Sequence, residues 1–205
     1  MKQAELRCQV YLVVPVDAER SHIGDVISCD AFDTVSSVLL RSTDDGCNED
    51  VARDLLAACH DADIPLLIEN DAAFAKKIGA DGVHVTGHED DLANVRATLG
   101  DDTIVGAACD ATRHMAMSLT EQGADYIAFA HDNPDELAQL IEWWSDVTVV
   151  PCIAWNVTSL EIAGQMADAG ADFASFETFV WSHSKGPVTA LREIKTALSR
   201  DKAAA

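Results

Sequence analysis

The chain has 205 residues, of which 14 are basic and 35 acidic, for a formal net charge of −21 at pH 7. That balance argues against nucleic acid and anionic membranes as partners, because both are held through a basic footprint. Hydrophobic residues make up 48% of the chain, enough for a sizeable core, yet no apolar run reaches the roughly 18 residues that span a bilayer. The opening Met1-Lys2-Gln3-Ala4-Glu5 carries an acid and no apolar stretch, so the expectation is a cytoplasmic protein without a signal peptide.

In chain order, eight apolar runs read as strands: 8–16, 36–41, 65–69, 82–86, 103–108, 126–130, 148–153 and 173–176. Helical patterns fall between them at 48–61, 71–78, 90–99, 111–122, 134–144, 159–169 and 187–199. The link between the first two strands is irregular, and its helix is only weakly marked. Asp71, Asp110, Asn133 before Pro134, and Thr158 or Ser159 stand where helix N-caps are needed. Gly79, Gly100, Gly123 and Gly170 close helices. Strands such as VYLVVPV are apolar on nearly every residue, as in a parallel sheet covered on both faces.

A Gly-Ala-Asp triplet recurs at 79–81, 123–125 and 170–172, each time before an apolar run. Repeated strand–helix units at this spacing predict an α/β fold, a single (βα)8 TIM barrel. No linker or low-complexity stretch divides the chain, so one domain is expected over 1–205, its tail fraying from about 200. The six cysteines are scattered without a C-x-x-C pair. They read as reduced thiols, several of them on strands as core filler, and provide no zinc site.

Barrels of this kind do their chemistry where strands end. The predicted strands place 14–17, 41–45, 70–71, 85–90, 108–110, 131–133, 154–156 and 177–178 on that face. His84 reads as a packed strand histidine, Trp143 and Trp144 as cover for the barrel exterior, and Trp155 as a pocket wall.

The order of these segments resembles the thiamine phosphate synthase family and its relative, the thiazole tautomerase. The resemblance rests on Tyr11-Leu12-Val13, Val38-Leu39-Leu40-Arg41, Leu67-Ile68-Glu69-Asn70-Asp71 and Gly79-Ala80-Asp81-Gly82-Val83-His84-Val85. It continues through Ile104-Val105-Gly106, Gly123-Ala124-Asp125-Tyr126-Ile127 and Ala169-Gly170-Ala171-Asp172. The family joins a pyrimidine diphosphate to a thiazole phosphate and expels pyrophosphate, whose growing charge needs magnesium and basic groups. The resemblance implies Asp71 and Glu89 as magnesium ligands, Arg41 as the anion-binding arginine, and Asn70 in the substrate site. An equal reading makes Asp71 the cap of the next helix.

Other family positions carry different residues. The glutamine and lysine flanking the arginine are Leu39 and Thr43, and the strand-four glutamine falls on Gly87 or His88. A serine is Ala108, a Gly-Gly is Ala154-Trp155, and an Ile/Val-Ser pair is Glu177-Thr178. The basic loop that grips pyrophosphate is replaced by His131-Asp132-Asn133-Pro134. Glu177 brings like charge to a phosphate position, an unfavourable exchange in a partly desolvated site. The substitutions predict weakened synthase chemistry.

Three readings follow: a thiamine-pathway synthase with unusual phosphate contacts, a tautomerase-like proton transfer through His131, or a degenerate paralogue that binds a small molecule or a protein without turnover. The tautomerase reading rests on Phe129-Ala130-His131, which resembles that branch's Phe-Gly-His, against the plainer reading of His131 as a cap of the next helix or a solvent-facing side chain. A small-molecule ligand is expected in each case but the last, and a homodimer is compatible with all three.

Overall fold

The computed structural model describes residues 6–43, 46–86, 89–110 and 112–199, with the side chains of 89–91 left out. The expected frayed tail and the candidates Gly87 and His88 lie outside these residues. Eight parallel strands close into a ring in chain order: β1 (Gln9–Val14), β2 (Val35–Leu40), β3 (Leu66–Glu69), β4 (Gly82–Val85), β5 (Ile104–Cys109), β6 (Tyr126–Phe129), β7 (Cys152–Ala154) and β8 (Phe173–Phe176), which returns to β1. The predicted TIM barrel is the fold. Around it run α2 (Glu49–Asp61), α3 (Ala72–Ile78), α4 (Glu89–Leu99), α5 (Arg113–Glu121), α6 (Pro134–Val147), α7 (Leu160–Asp168) and α9 (Pro187–Leu198). No helix among the described residues is long and apolar enough to cross a membrane.

The weakly marked helix of the first link is present, and one short helix was not predicted. The irregular first link contains α1 (Arg20–Ile27) and a 3₁₀ turn at Phe32–Thr34. Only Ile23 and Val26 of α1 are buried, a narrow stripe that accounts for its weak signal. A four-residue helix, α8 (Thr178–Trp181), follows β8 directly and is pinned by the Trp181 indole N–H, which donates to the Val13 carbonyl at 2.6 Å.

The seventh strand requires a correction. It occupies Cys152–Ala154, not 148–153. Thr148 caps α6 by returning its N–H to the Trp144 carbonyl, and Val149 is 99% exposed. The Trp144 indole N–H takes the Val150 carbonyl at 2.8 Å, tying this apolar segment to the helix. An apolar run shows burial potential but does not say which backbone geometry uses it. Trp144 itself is buried edge-on against Phe129 beneath α6.

The repeated triplet has a physical role. Asp81, Asp125 and Asp172 accept the N–H of Leu66, Val105 and Cys152 at 2.8, 2.7 and 2.8 Å. Each carboxylate thus satisfies a donor at the start of the preceding strand that would otherwise lack a partner. The glycines of the triplets adopt φ of 79°, 94° and 96°, a conformation that an L side chain resists. The repeat therefore builds the N-terminal end of the barrel, opposite the candidate site.

Strand pleating splits the core in two. One cluster, including Leu12, Val14, Leu40, Ile68, Phe129 and Phe176, fills the layer between ring and helices. The other, Tyr11, Val13, Leu39, Leu67, Tyr126, Ala128 and Ile153, fills the ring itself. Cys8, Cys59, Cys109 and Cys152 are buried, as core thiols should be, and burial pushes the Cys59 and Cys152 thiols up to about 12.

Candidate functional site

One row of the ring carries the polar interior. Parallel register aligns Glu69 on β3 with His84 on β4, His84 with Gly106 on β5, and Gly106 with Tyr126 on β6. Gly106 leaves a gap at its place in the row. A Cβ there would lie 1.9 to 2.2 Å from Tyr126 ring atoms, so the tyrosine ring occupies the space that a side chain would take. Tyr126 thereby reaches His84 across β5.

The Tyr126 hydroxyl pairs with His84 Nδ1 at 2.9 Å and with the Tyr11 hydroxyl at 2.9 Å. Tyr126, His84 and Trp155 form a near-parallel stack: the centroids are 5.7 Å apart for the first pair and 4.8 Å for the second, with interplanar angles of 8° and 9°. Trp155, just beyond β7, is the outer member of this stack. His84 is wholly buried, and its Nε2 has no protein partner among the described residues. Burial, with Arg41 nearby as a second cause, lowers the His84 pKa to about 3, so the imidazole is neutral. Burial also raises both tyrosine pKa values.

This burial has a measurable consequence. Unfolded, the imidazole titrates near 6.5; folded, it resists protonation down to about 3. Between those values the unfolded state binds the extra proton, so His84 makes the fold less stable as pH falls through this window. The contribution approaches about 1.4 kcal/mol per pH unit. Urea unfolding of wild type and His84→Gln at pH 7, 6 and 5 should show a shallower decline in the variant. Parallel declines would remove His84 as the cause.

At the strand ends, Arg41 is held from two sides. Its Nε lies 3.2 Å from Glu69 Oε1 and its Nη2 3.2 Å from the same atom; its Nη1 lies 3.2 and 3.1 Å from the two oxygens of Glu177. Glu69 is only 4% exposed and also receives the Ser42 N–H. Partial burial opposes the Arg41 charge, but Glu69 and then Glu177 outweigh it and raise the pKa. Cys47, whose thiol sits against the Arg41 carbonyl, has its pKa pushed up to about 11 by burial, then by Asp71 and Glu69.

The remaining candidates divide by what they touch. Asn70, at φ 55°, receives the Thr86 N–H on its side-chain oxygen at 2.8 Å and donates to the Thr86 hydroxyl at 2.6 Å. It braces the ends of β3 and β4 against each other. Asp71 is the N-cap of α3, accepting the Phe74 N–H at 2.8 Å. Glu89 begins α4, but its side chain lies outside the described residues. Among the described residues no group of three His, Cys, Asp or Glu gathers to hold a metal.

Ala108 lies within β5, which runs one residue further than predicted, and pairs with Ala128. Ala154 is buried in the outer core layer, so its side chain faces the helices rather than the ring. Thr178 opens α8 and is exposed. His131 accepts the Asn133 N–H on Nδ1 at 3.0 Å, and its Nε2 faces Glu136 at 3.3 Å. Both ring nitrogens thus serve the first turn of α6. Its groove, about 250 Å³ and shared with Trp155, runs toward α7.

Pattern reading missed Glu69 as a site residue. It ends an apolar strand and pairs with a residue 28 positions away, so only the Arg41 side chain reveals its place. The sequence signal, an acid closing LLIE, was present.

The fold and the row define a (βα)8 barrel with a candidate site at the C-terminal strand ends, where Arg41 is held by the carboxylates of Glu69 and Glu177. A family profile described as thiamine monophosphate synthase matches residues 10–180. The thiamine-phosphate synthase of Hyphomonas neptunium is 31% identical over 93% of each chain. That of Rhodospirillum centenum is 30% identical, covering 93% of this chain and 98% of its own. Among solved structures, the thiamine phosphate pyrophosphorylase of Pyrococcus furiosus superposes with a TM-score of 0.75 at 13% identity, over 94% of this chain and 96% of its own. A 3-hexulose-6-phosphate synthase shares the fold at a TM-score of 0.68 and 15% identity, over 93% of this chain and 99% of its own. The chain belongs to the thiamine monophosphate synthase family, and membership links it to thiamine biosynthesis.

Proposed function

We propose that this protein is a divergent member of the family that binds a small heterocyclic ligand at the C-terminal mouth and performs the full synthase reaction poorly. The observation that carries this reading is the double clamp on Arg41, the one arginine retained from the family's basic strand-two motif. Its three nitrogens already face carboxylates. A departing pyrophosphate needs donors that are free to follow its growing charge. Trp155, the partly exposed end of the stack, suits a flat ring better than a polyanion.

Magnesium enters this reading only through Asp71 and Glu89, at neighbouring strand ends. The arginine then remains a positioning group for the ligand rather than a phosphate clamp. Proton transfer through His131 has less support, because both ring nitrogens are engaged locally.

The test is direct assay of pyrimidine diphosphate with thiazole phosphate, run beside the H. neptunium enzyme with magnesium present. Thiamine phosphate formation should be slower by about a hundredfold or more, the scale on which loss of preorganised donors acts. Comparable rates would overturn the reading.

A further inference from the structure

We propose that Glu177 is a specificity-determining residue that turns the mouth against phosphate-bearing ligands and leaves it selective for an unphosphorylated heteroaromatic ring. This rests on the reading that the mouth is a ligand site.

Glu177 stands at the N-cap position of α8, yet its side chain makes no capping hydrogen bond. It reaches instead to Arg41 and takes Nη1 with both oxygens. Its backbone is anchored, because α8 is fastened to β1 through Trp181 and Val13. An incoming phosphate would have to displace this carboxylate or share the guanidinium with it at close range. Either course adds like charge to a half-enclosed site, the means by which an unwanted ligand is rejected.

Among the described residues the surroundings provide no alternative. The cavity on the outer side of Glu177, about 400 Å³, is lined by Asp17, Glu19 and His22 together with Thr178 and Ser182, and by no Lys or Arg. In the neighbouring cavity beside Arg41 the other cation is Arg20, which is paired with Asp54. An uncharged ring pays no such electrostatic penalty.

Calorimetric titration of inorganic pyrophosphate into wild type, Glu177→Gln and Glu19→Gln tests the assignment. Both variants remove one acid from the rim, but only the first touches Arg41. Pyrophosphate affinity should rise at least about tenfold in Glu177→Gln and change less than about threefold in Glu19→Gln. Equal gains in both, or no gain in Glu177→Gln, would overturn the proposal. Glu177→Ser is the second variant should the glutamine form melt early.

A parallel titration uses hydroxyethylthiazole and its phosphate ester. Wild type should prefer the alcohol, and Glu177→Gln should shift preference toward the ester. Binding of the alcohol without any shift refutes the role of Glu177 alone. Failure of the alcohol to bind any variant refutes the ligand-site reading, while the pyrophosphate arm still decides whether Glu177 blocks anions.

Discussion

Gly106→Ala should lower the unfolding free energy by about 3 kcal/mol, the upper part of the range for forced overpacking. The new methyl would overlap Tyr126 ring atoms at 1.9 to 2.2 Å. β5 sits inside a closed ring, paired with β4 and β6, so the backbone has little room to retreat. The ring must swing away instead, breaking its bonds to His84 and Tyr11. Denaturant midpoints of the variant and of Gly106→Ala/Tyr126→Leu would check this. The second change shrinks the obstructing side chain and should recover part of the loss. A single variant within about 0.5 kcal/mol of wild type, the ordinary range for harmless substitutions, would show the row to be far looser than described.

Arg41→Met should cost a comparable amount, about 3 kcal/mol, for a different reason. Methionine keeps much of the packing but leaves Glu69 facing the interior with its main counter-charge gone. Removing one partner of a buried ion pair costs roughly 3–5 kcal/mol. The lower end applies because the Arg41 side chain is 39% exposed and water reaches one side of it. Arg41→Met/Glu69→Gln should restore most of the stability, since the uncompensated charge is removed with its partner. If the double variant were no more stable than the single, the arginine would be acting through packing alone.

These two expectations concern features of unequal legibility. The barrel was readable because eight apolar runs alternate with helical patterns and because the Gly-Ala-Asp triplet repeats. Each triplet does its work within a short stretch of backbone, so its signal survives in sequence. Strand seven misled because Val149 and Val150 look like strand residues; Val149 is exposed instead, and the Trp144 indole of α6 holds the Val150 carbonyl. Asp71 carried two readings in sequence, and the structure gives it the N-cap bond to Phe74.

The site was legible only as a set of addresses. Arg41, Trp155 and Glu177 were named because strands end beside them. Their contacts span 28 and 136 positions of chain, separations over which no local pattern extends. Nothing near Gly106 in sequence shows that its missing side chain makes room for a tyrosine one strand away.

The sequence by itself determined the closed α/β ring, its family, and which end carries the candidate site, because periodicity, caps and turn glycines are local and each acts on its own few residues. Only the tertiary structure decided what that end can hold. Barrel closure brings Arg41 between Glu69 at the end of β3 and Glu177 just beyond β8, and lays Tyr126, His84 and Trp155 ring over ring. Charge pairing and stacking act through space at a few ångströms, and the order of residues along the chain does not record such distances.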